Sequence, residues 1–233
     1  NPTVNSDTLF HVEKSGETNV IFEGDTSTLG ARLTLKNNNT GASAMNQIDF
    51  ADAGGQSTSS IKGFNTDQSN NYGYLTFHTR SASGTPPEER MRISKEGYIT
   101  KPYLPAFMVN GSPSHSNFTG YDNSVHSFGS VLYNNGSHYN NSNGRFTAPV
   151  AGRYQINARM LTNSSTTSYT IYLLRVNANH HGYIGHNHSD FWFMESGSWV
   201  LNLQANDYVD CYLQQHSGHG GHNYASFSGF LIG

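Results

Sequence analysis

Nowhere in this chain do apolar residues recur at i, i+3, i+4 and i+7 for three turns; short alternating runs bounded by Gly, Asn and Ser recur instead. That pattern excludes a helical core and predicts an all-β chain. Its clearest run sets Tyr154, Ile156, Ala158 and Met160 on one side and Arg153, Gln155, Asn157 and Arg159 on the other. Residues 169–176 form a second run, and Trp199, Leu201 and Leu203 mark a third. Val209, Cys211 and Leu213 alternate with Tyr208, Asp210 and Tyr212, which makes Cys211 a small buried hydrophobe. The run from Ser226 to Gly233 is too apolar for a free tail and is predicted to be a central strand.

The chemistry changes abruptly near Lys101 and Pro102. Residues 1–102 carry 9 of the 13 Lys and Arg and 11 of the 16 Asp and Glu, and residues 103–233 contain no Lys. Ten of the 12 His and 11 of the 14 Tyr fall after residue 102. Two modules are therefore expected, 1–102 and 103–233. Only 12% of the residues are charged and the net charge is −3, so no basic footprint for nucleic acid or an anionic membrane exists. No apolar run approaches the roughly 20 residues of a membrane span, so membrane insertion is not expected. The opening residues, Asn1 to Ser6, lack the basic and apolar regions of a signal peptide, and the chain is expected to be a piece of something longer.

Residues 103–233 resemble C1q-like domains, the trimeric jelly rolls of the C1q and tumour necrosis factor type, in five elements that come in order. These are Leu104-Pro-Ala-Phe107, Val131-Leu-Tyr-Asn-Asn-Gly136, Gly144-Arg-Phe-Thr-Ala-Pro-Val-Ala-Gly-Arg-Tyr154, Leu201-Asn-Leu-Gln-Ala-Asn-Asp-Tyr-Val209 and Phe227-Ser-Gly-Phe-Leu231. In the third element Gly and Pro set a turn while Phe146 and Tyr154 are expected inside the sandwich. Asn206 stands where the family has Gly, and Asn tolerates the positive φ that such a turn needs.

Residues 1–102 are similar to shaft segments of phage tail fibres. The residues that carry this are Ala31-Arg-Leu-Thr-Leu-Lys-Asn-Asn-Asn39, Asn46-Gln-Ile-Asp-Phe-Ala-Asp-Ala53, Gly73-Tyr-Leu-Thr-Phe-His-Thr-Arg80 and Glu89-Arg-Met-Arg-Ile-Ser-Lys-Glu-Gly-Tyr-Ile99. The resemblance implies strands that close no core alone and bury Leu33, Leu35, Ile48, Phe50, Leu75, Phe77, Met91 and Ile93 between three chains. The fold expected is thus a trimeric β-rich shaft segment followed by a C1q-like jelly-roll head.

Catalytic spacing is missing. Asp207 and Asp210 fall three apart and face opposite sides of a strand, Glu195 has no acidic neighbour, and Cys211 has no His in its own strand. The chain is not expected to be an enzyme. His186 and His188 share one face of an extended segment, and in a trimer three such pairs offer six nitrogens to an axial transition-metal ion. The competing reading is a pair of solvated loop histidines. No other cofactor is expected.

His216, His219, His222, Asn223 and Tyr224 read as an exposed turn between the last two strands. Its His, Tyr, Asn and Ser offer flat faces and neutral donors, which suit carbohydrate. Turns at 162–168, with Thr162 and Asn163, and at 195–198, with Glu195, are expected to share that end. The resulting reading is the distal, receptor-binding part of a homotrimeric phage tail fibre in the virion. Its expected ligand is a host cell-surface glycan, with an outer-membrane protein second. Its rivals are a trimerisation or capping domain without recognition and a secreted C1q-like lectin.

Overall fold

A computed structural model describes residues 32–39, 41, 44–67, 69–111, 124–162, 170–187, 193–215 and 220–233. Every regular element among them is a β-strand. The chain divides into two compact units, one up to Tyr98 and one from Ile99. Strands are numbered in chain order.

In the first unit β1 (Met45–Ala51), β2 (Ser57–Asp67), β3 (Tyr72–Thr79) and β4 (Glu88–Ile93) pair antiparallel in sequence order. Asp residues make the turns. The Asp52 carboxylate accepts from the backbone N–H of Gly54 and of Gln56, both at 2.9 Å, and Gly55 takes φ 77°. Asp67 gathers the Ser69 N–H at 2.9 Å and the Asn70 amide at 2.8 Å, and Asn71 follows at φ 57°. Residues 32–39 form no strand. Asn side chains bend the backbone there instead, with Asn39 N–H donating to Asn37 Oδ1 at 2.9 Å and Gly41 N–H to Asn39 Oδ1 at 2.8 Å.

The register sorts this sheet into two unlike faces. Ile48, Ile61, Phe77 and Met91 lie directly opposite one another across four strands, and Leu75 faces Ile93 one rung away. This apolar face is open in the single chain: Ile48 is 43% exposed and Phe50 51%. On the polar face, by contrast, Ser60 and Thr76 are buried beneath longer neighbours. Phe64 stacks on Tyr74 there at 4.7 Å, and the Arg92 guanidinium covers Tyr74 at 4.3 Å.

The second unit begins with the two-residue β5 (Ile99–Thr100) and continues as a two-sheet sandwich. The remaining strands are β6 (Ala106–Asn110), β7 (Ser124–Val125), β8 (Ser130–Asn135), β9 (Tyr139–Asn140), β10 (Arg145–Thr147), β11 (Gly152–Thr162), β12 (Thr170–Val176), β13 (Asn179–Asn187), β14 (Phe193–Leu203), β15 (Tyr208–Gln215) and β16 (Gly220–Leu231). One sheet runs β14-β11-β16-β6-β8; the other runs β13-β12-β15-β10-β9, with β7 also beside β15. The expected central position of the last strand is met, since β16 lies between β11 and β6.

Alternation fills the space between the sheets as the sequence predicts. Tyr154, Ile156, Ala158 and Met160 from β11 meet Val209, Cys211 and Leu213 from β15, all buried. Phe107 is the aromatic hub, stacked on Phe146 at 4.7 Å and Tyr139 at 5.3 Å and edge-on to Phe227 at 4.9 Å. Tyr154 also donates its phenol to Val150 O at 2.8 Å, which ties the turn before β11 to the core. Asn206 takes φ 73°, the positive φ expected of this turn. The β12–β13 hairpin turns on Asn177 and Ala178 at φ 51° and 65°, a two-residue turn of the twist that hairpins favour.

Candidate functional site

Connectivity defines two ends of the sandwich. Ile232 N–H donates to Arg153 O at 2.7 Å and Leu231 N–H to Pro105 O at 3.0 Å, so both ends of the second unit's chain meet at one pole. At the other pole Thr162 lies opposite Phe193 and Gly220, Thr170 opposite Asn187, and Ile171 opposite Gln215. The step from β15 to β16 has residues 216–219 to cross from one sheet to the other, a span of at most about 18 Å. That is too short to run back along either strand. The two sheets therefore have this pole in common.

Several sequence-predicted site residues come to this pole, in settings that differ from those expected. His222, Asn223 and Tyr224 belong to β16, which starts at Gly220, and so stand on a strand and not in the turn. Glu195–Ser198 is no turn either, because β14 runs unbroken from Phe193 to Leu203. Glu195 lies opposite the buried Met160, and its carboxylate packs against the Cα face of Gly185, where a Cβ would collide with it. Gly182 likewise leaves room for the Trp199 indole, whose Nε1 would be 2.8 Å from a Cβ there. Small residues on β13 thus admit large inward groups from β14, whose Ser196, Gly197 and Ser198 composition alone had read as a turn. Thr162 ends β11. Asn163, His216 and His219 lie outside the described residues.

The histidine pair is divided in the same way. His186 is in β13 opposite Ile171, and His188 lies outside the described residues. Among the described residues no three His, Cys, Asp or Glu side chains gather as metal ligands. His180 and His181 are both exposed, and His180 meets Tyr183 edge-on at 4.8 Å.

The most organised polar cluster is one that sequence reasoning missed. On the outward face of the second sheet, Asn140, Arg145, Asp210, Arg175 and His180 fall opposite one another across β9, β10, β15, β12 and β13. The Asp210 side chain is 0% exposed although it faces away from the core. Arg175 donates to it twice, Nε to Oδ1 at 2.8 Å and Nη2 to Oδ2 at 3.0 Å, and Arg145 donates Nε to Oδ2 at 3.1 Å. Each guanidinium lies over a tyrosine of β15, Arg145 over Tyr208 at 4.3 Å and Arg175 over Tyr212 at 3.7 Å. Leu173 is buried on this outer face too, apart from the main core. The turn beside Tyr208 is closed by Asp207, which accepts from Asn177 Nδ2 at 2.7 Å and Gln204 N–H at 2.7 Å. Those bonds, from Asn177 above all, hold its carboxyl below the usual range.

A two-sheet antiparallel sandwich with a filled aromatic core defines a jelly roll. The C1q domain family matches residues 106–232, and the chain belongs to that family. Domains of this kind can mediate trimerisation and binding, and proteins that carry them are typically extracellular or secreted. Among solved structures the chain is similar to the globular domain of the zebrafish complement 1qA protein, at 23% identity and a TM-score of 0.45, over 56% of this chain and 98% of that one. It is also similar to the tumour necrosis factor Eiger from S. frugiperda, at 11% identity and a TM-score of 0.41, over 56% and 93%. No helix among the described residues is long and apolar enough to cross a membrane.

Proposed function

We propose that this chain is the distal, receptor-binding part of a homotrimeric phage tail fibre, with residues 1–102 as shaft and 103–233 as head. The observation that carries the reading is the open apolar face of the first unit. A sheet that leaves Ile48, Phe50 and Leu75 exposed while it buries Ser60 and Thr76 has its hydrophobic side turned to a partner. Three copies that bring these faces together, with Leu33 and Leu35, would supply the missing core. Typical C1q-like and tumour necrosis factor-like domains are themselves homotrimers, so both units favour one stoichiometry.

Recognition falls to the pole away from the chain ends, where β11, β13 and β15 end and β12, β14 and β16 begin. The ligand there is a host-surface glycan, with an outer-membrane protein as second choice. Three tips on one stalk turn a weak single contact into useful avidity. His186 and His188 of three chains would hold one transition-metal ion on the axis.

Native mass spectrometry with metal analysis tests the assembly. A trimer with about one metal ion per three chains is expected; a folded monomer would refute the reading, and a metal-free trimer would remove the ion. The double variant His219→Ala, Tyr224→Ala is expected to stay trimeric and to lose adsorption to host cells. Unchanged adsorption by that variant would leave the head as a capping domain.

A further inference from the structure

We infer that the outward face of the second sheet docks an acidic saccharide, and that Arg145 receives its carboxylate. The inference deepens the proposed function, resting on the head being a saccharide-binding module, and places a second contact on the side of the head.

The first observation is a surplus cation. Arg175 alone meets both oxygens of Asp210, and its side chain is only 12% exposed. Arg145 adds a second positive charge to the same carboxylate, yet only its Nε is engaged. Among the described residues neither Nη of Arg145 has an acceptor, and its side chain is 34% exposed. The guanidinium is nonetheless held, at one end by Asp210 and on its flat side by Tyr208. A fixed, partly exposed fork with free donors is suited to a planar carboxylate, which it meets with two parallel bonds.

The second observation is what surrounds the fork. Asn140 is the neighbour of Arg145 on one side of the rung, and His180 stands at its far end. Tyr183, 61% exposed, lies edge-on to that His. An aromatic platform with neutral hydrogen-bonding groups is the surface a sugar ring needs, and it lies within the same sheet as the fork. Asp207, the other carboxylate beside Tyr208, is already engaged by Asn177 and Gln204.

Binding of oligogalacturonate to the purified full chain at low ionic strength tests the inference, with neutral dextran and dextran sulfate in parallel. Wild type is expected to bind oligogalacturonate and not neutral dextran. Arg145→Gln should weaken that binding by about tenfold or more. Arg145→Lys keeps the charge but not the fork, and should weaken it as well, so the test stands even if the Gln variant fails to fold. Equal binding by wild type and both Arg145 variants would overturn the inference, as would binding of dextran sulfate alone or of neither polymer. Cell adsorption is not read in this assay, so failure of the tip reading and failure of this one are separable.

Discussion

The two arginines on Asp210 make unequal contributions, and the inequality can be measured. Arg175→Gln removes two hydrogen bonds from a carboxylate with no exposure, and also the cation above Tyr212. Removing one partner of a buried ion pair costs about 3–5 kcal/mol. Arg145 remains on Oδ2, so the lower end applies, about 3 kcal/mol. Arg145→Gln removes one longer bond from a side chain that is a third exposed, and after allowance for solvent screening about 1 kcal/mol is expected. Urea unfolding followed by tryptophan fluorescence compares the variants, at one protein concentration because the proposed trimer would link assembly to folding. With a slope of about 2 kcal/mol/M the midpoints should fall by about 1.5 M and about 0.5 M respectively. Equal shifts, or the larger one for Arg145, would show that Arg145 carries the buried carboxylate. The surplus-cation argument would then fail with it.

Three further outcomes follow from local geometry. Ala178 holds φ 65°, a conformation that costs a non-glycine residue roughly 1–2 kcal/mol, so Ala178→Gly should stabilise the head by about 0.5–1 kcal/mol after the added flexibility of the unfolded chain; a lower thermal midpoint would contradict this. Cys211 is fully buried, and burial first, then the Asp210 charge, pushes its thiol well above the ordinary value. It should resist iodoacetamide until the head unfolds, and labelling of the native protein would show local opening at β15. Asp67, held down to about 2 by hydrogen bonds from Ser69 and then Asn70, should titrate there by carboxyl NMR. Its contribution to the β2–β3 turn is in place above the unfolded value near 3.8 and is lost as pH falls through 2, so a midpoint near 3.8 would refute the turn geometry.

The core was legible because its signal is local. Alternation along β11 and β15 announces which side chains turn inward, and Tyr154, Ile156, Cys211 and Leu213 do so. The element around Phe146 and Tyr154 was equally plain, since its Gly and Pro mark the turn on either side. Asp210 was not legible. A carboxylate on the polar side of a strand reads as solvated, and only the pairing of β15 with β10 and β12 sets Arg145, 65 residues away, and Arg175, 35 away, beside it. Glu195–Ser198 misled for the opposite reason. Gly and Ser mark loops in sequence, but here Gly185 and Gly182 on the facing strand clear space for Glu195 and Trp199. Thr162 and the start of β16 lie at the end that strand counting gave them, while the secondary structure of residues 222–224 depended on where β16 begins.

The position of β16 bears on how the head is made. The middle of the first sheet is occupied by the last strand of the domain, flanked by β11 and β6, which are made well before it. Until Leu231 has left the ribosome, β11 and β6 present facing edges with an open slot between them, and Phe107 lacks its partner Phe227. The head therefore cannot close progressively during translation; it waits, then folds in one late step dominated by contacts distant in sequence. A chain released early would expose both edges and remain unfinished. Closure of the sandwich thus waits for the whole domain up to Leu231, and the slot leaves any shorter domain unclosed.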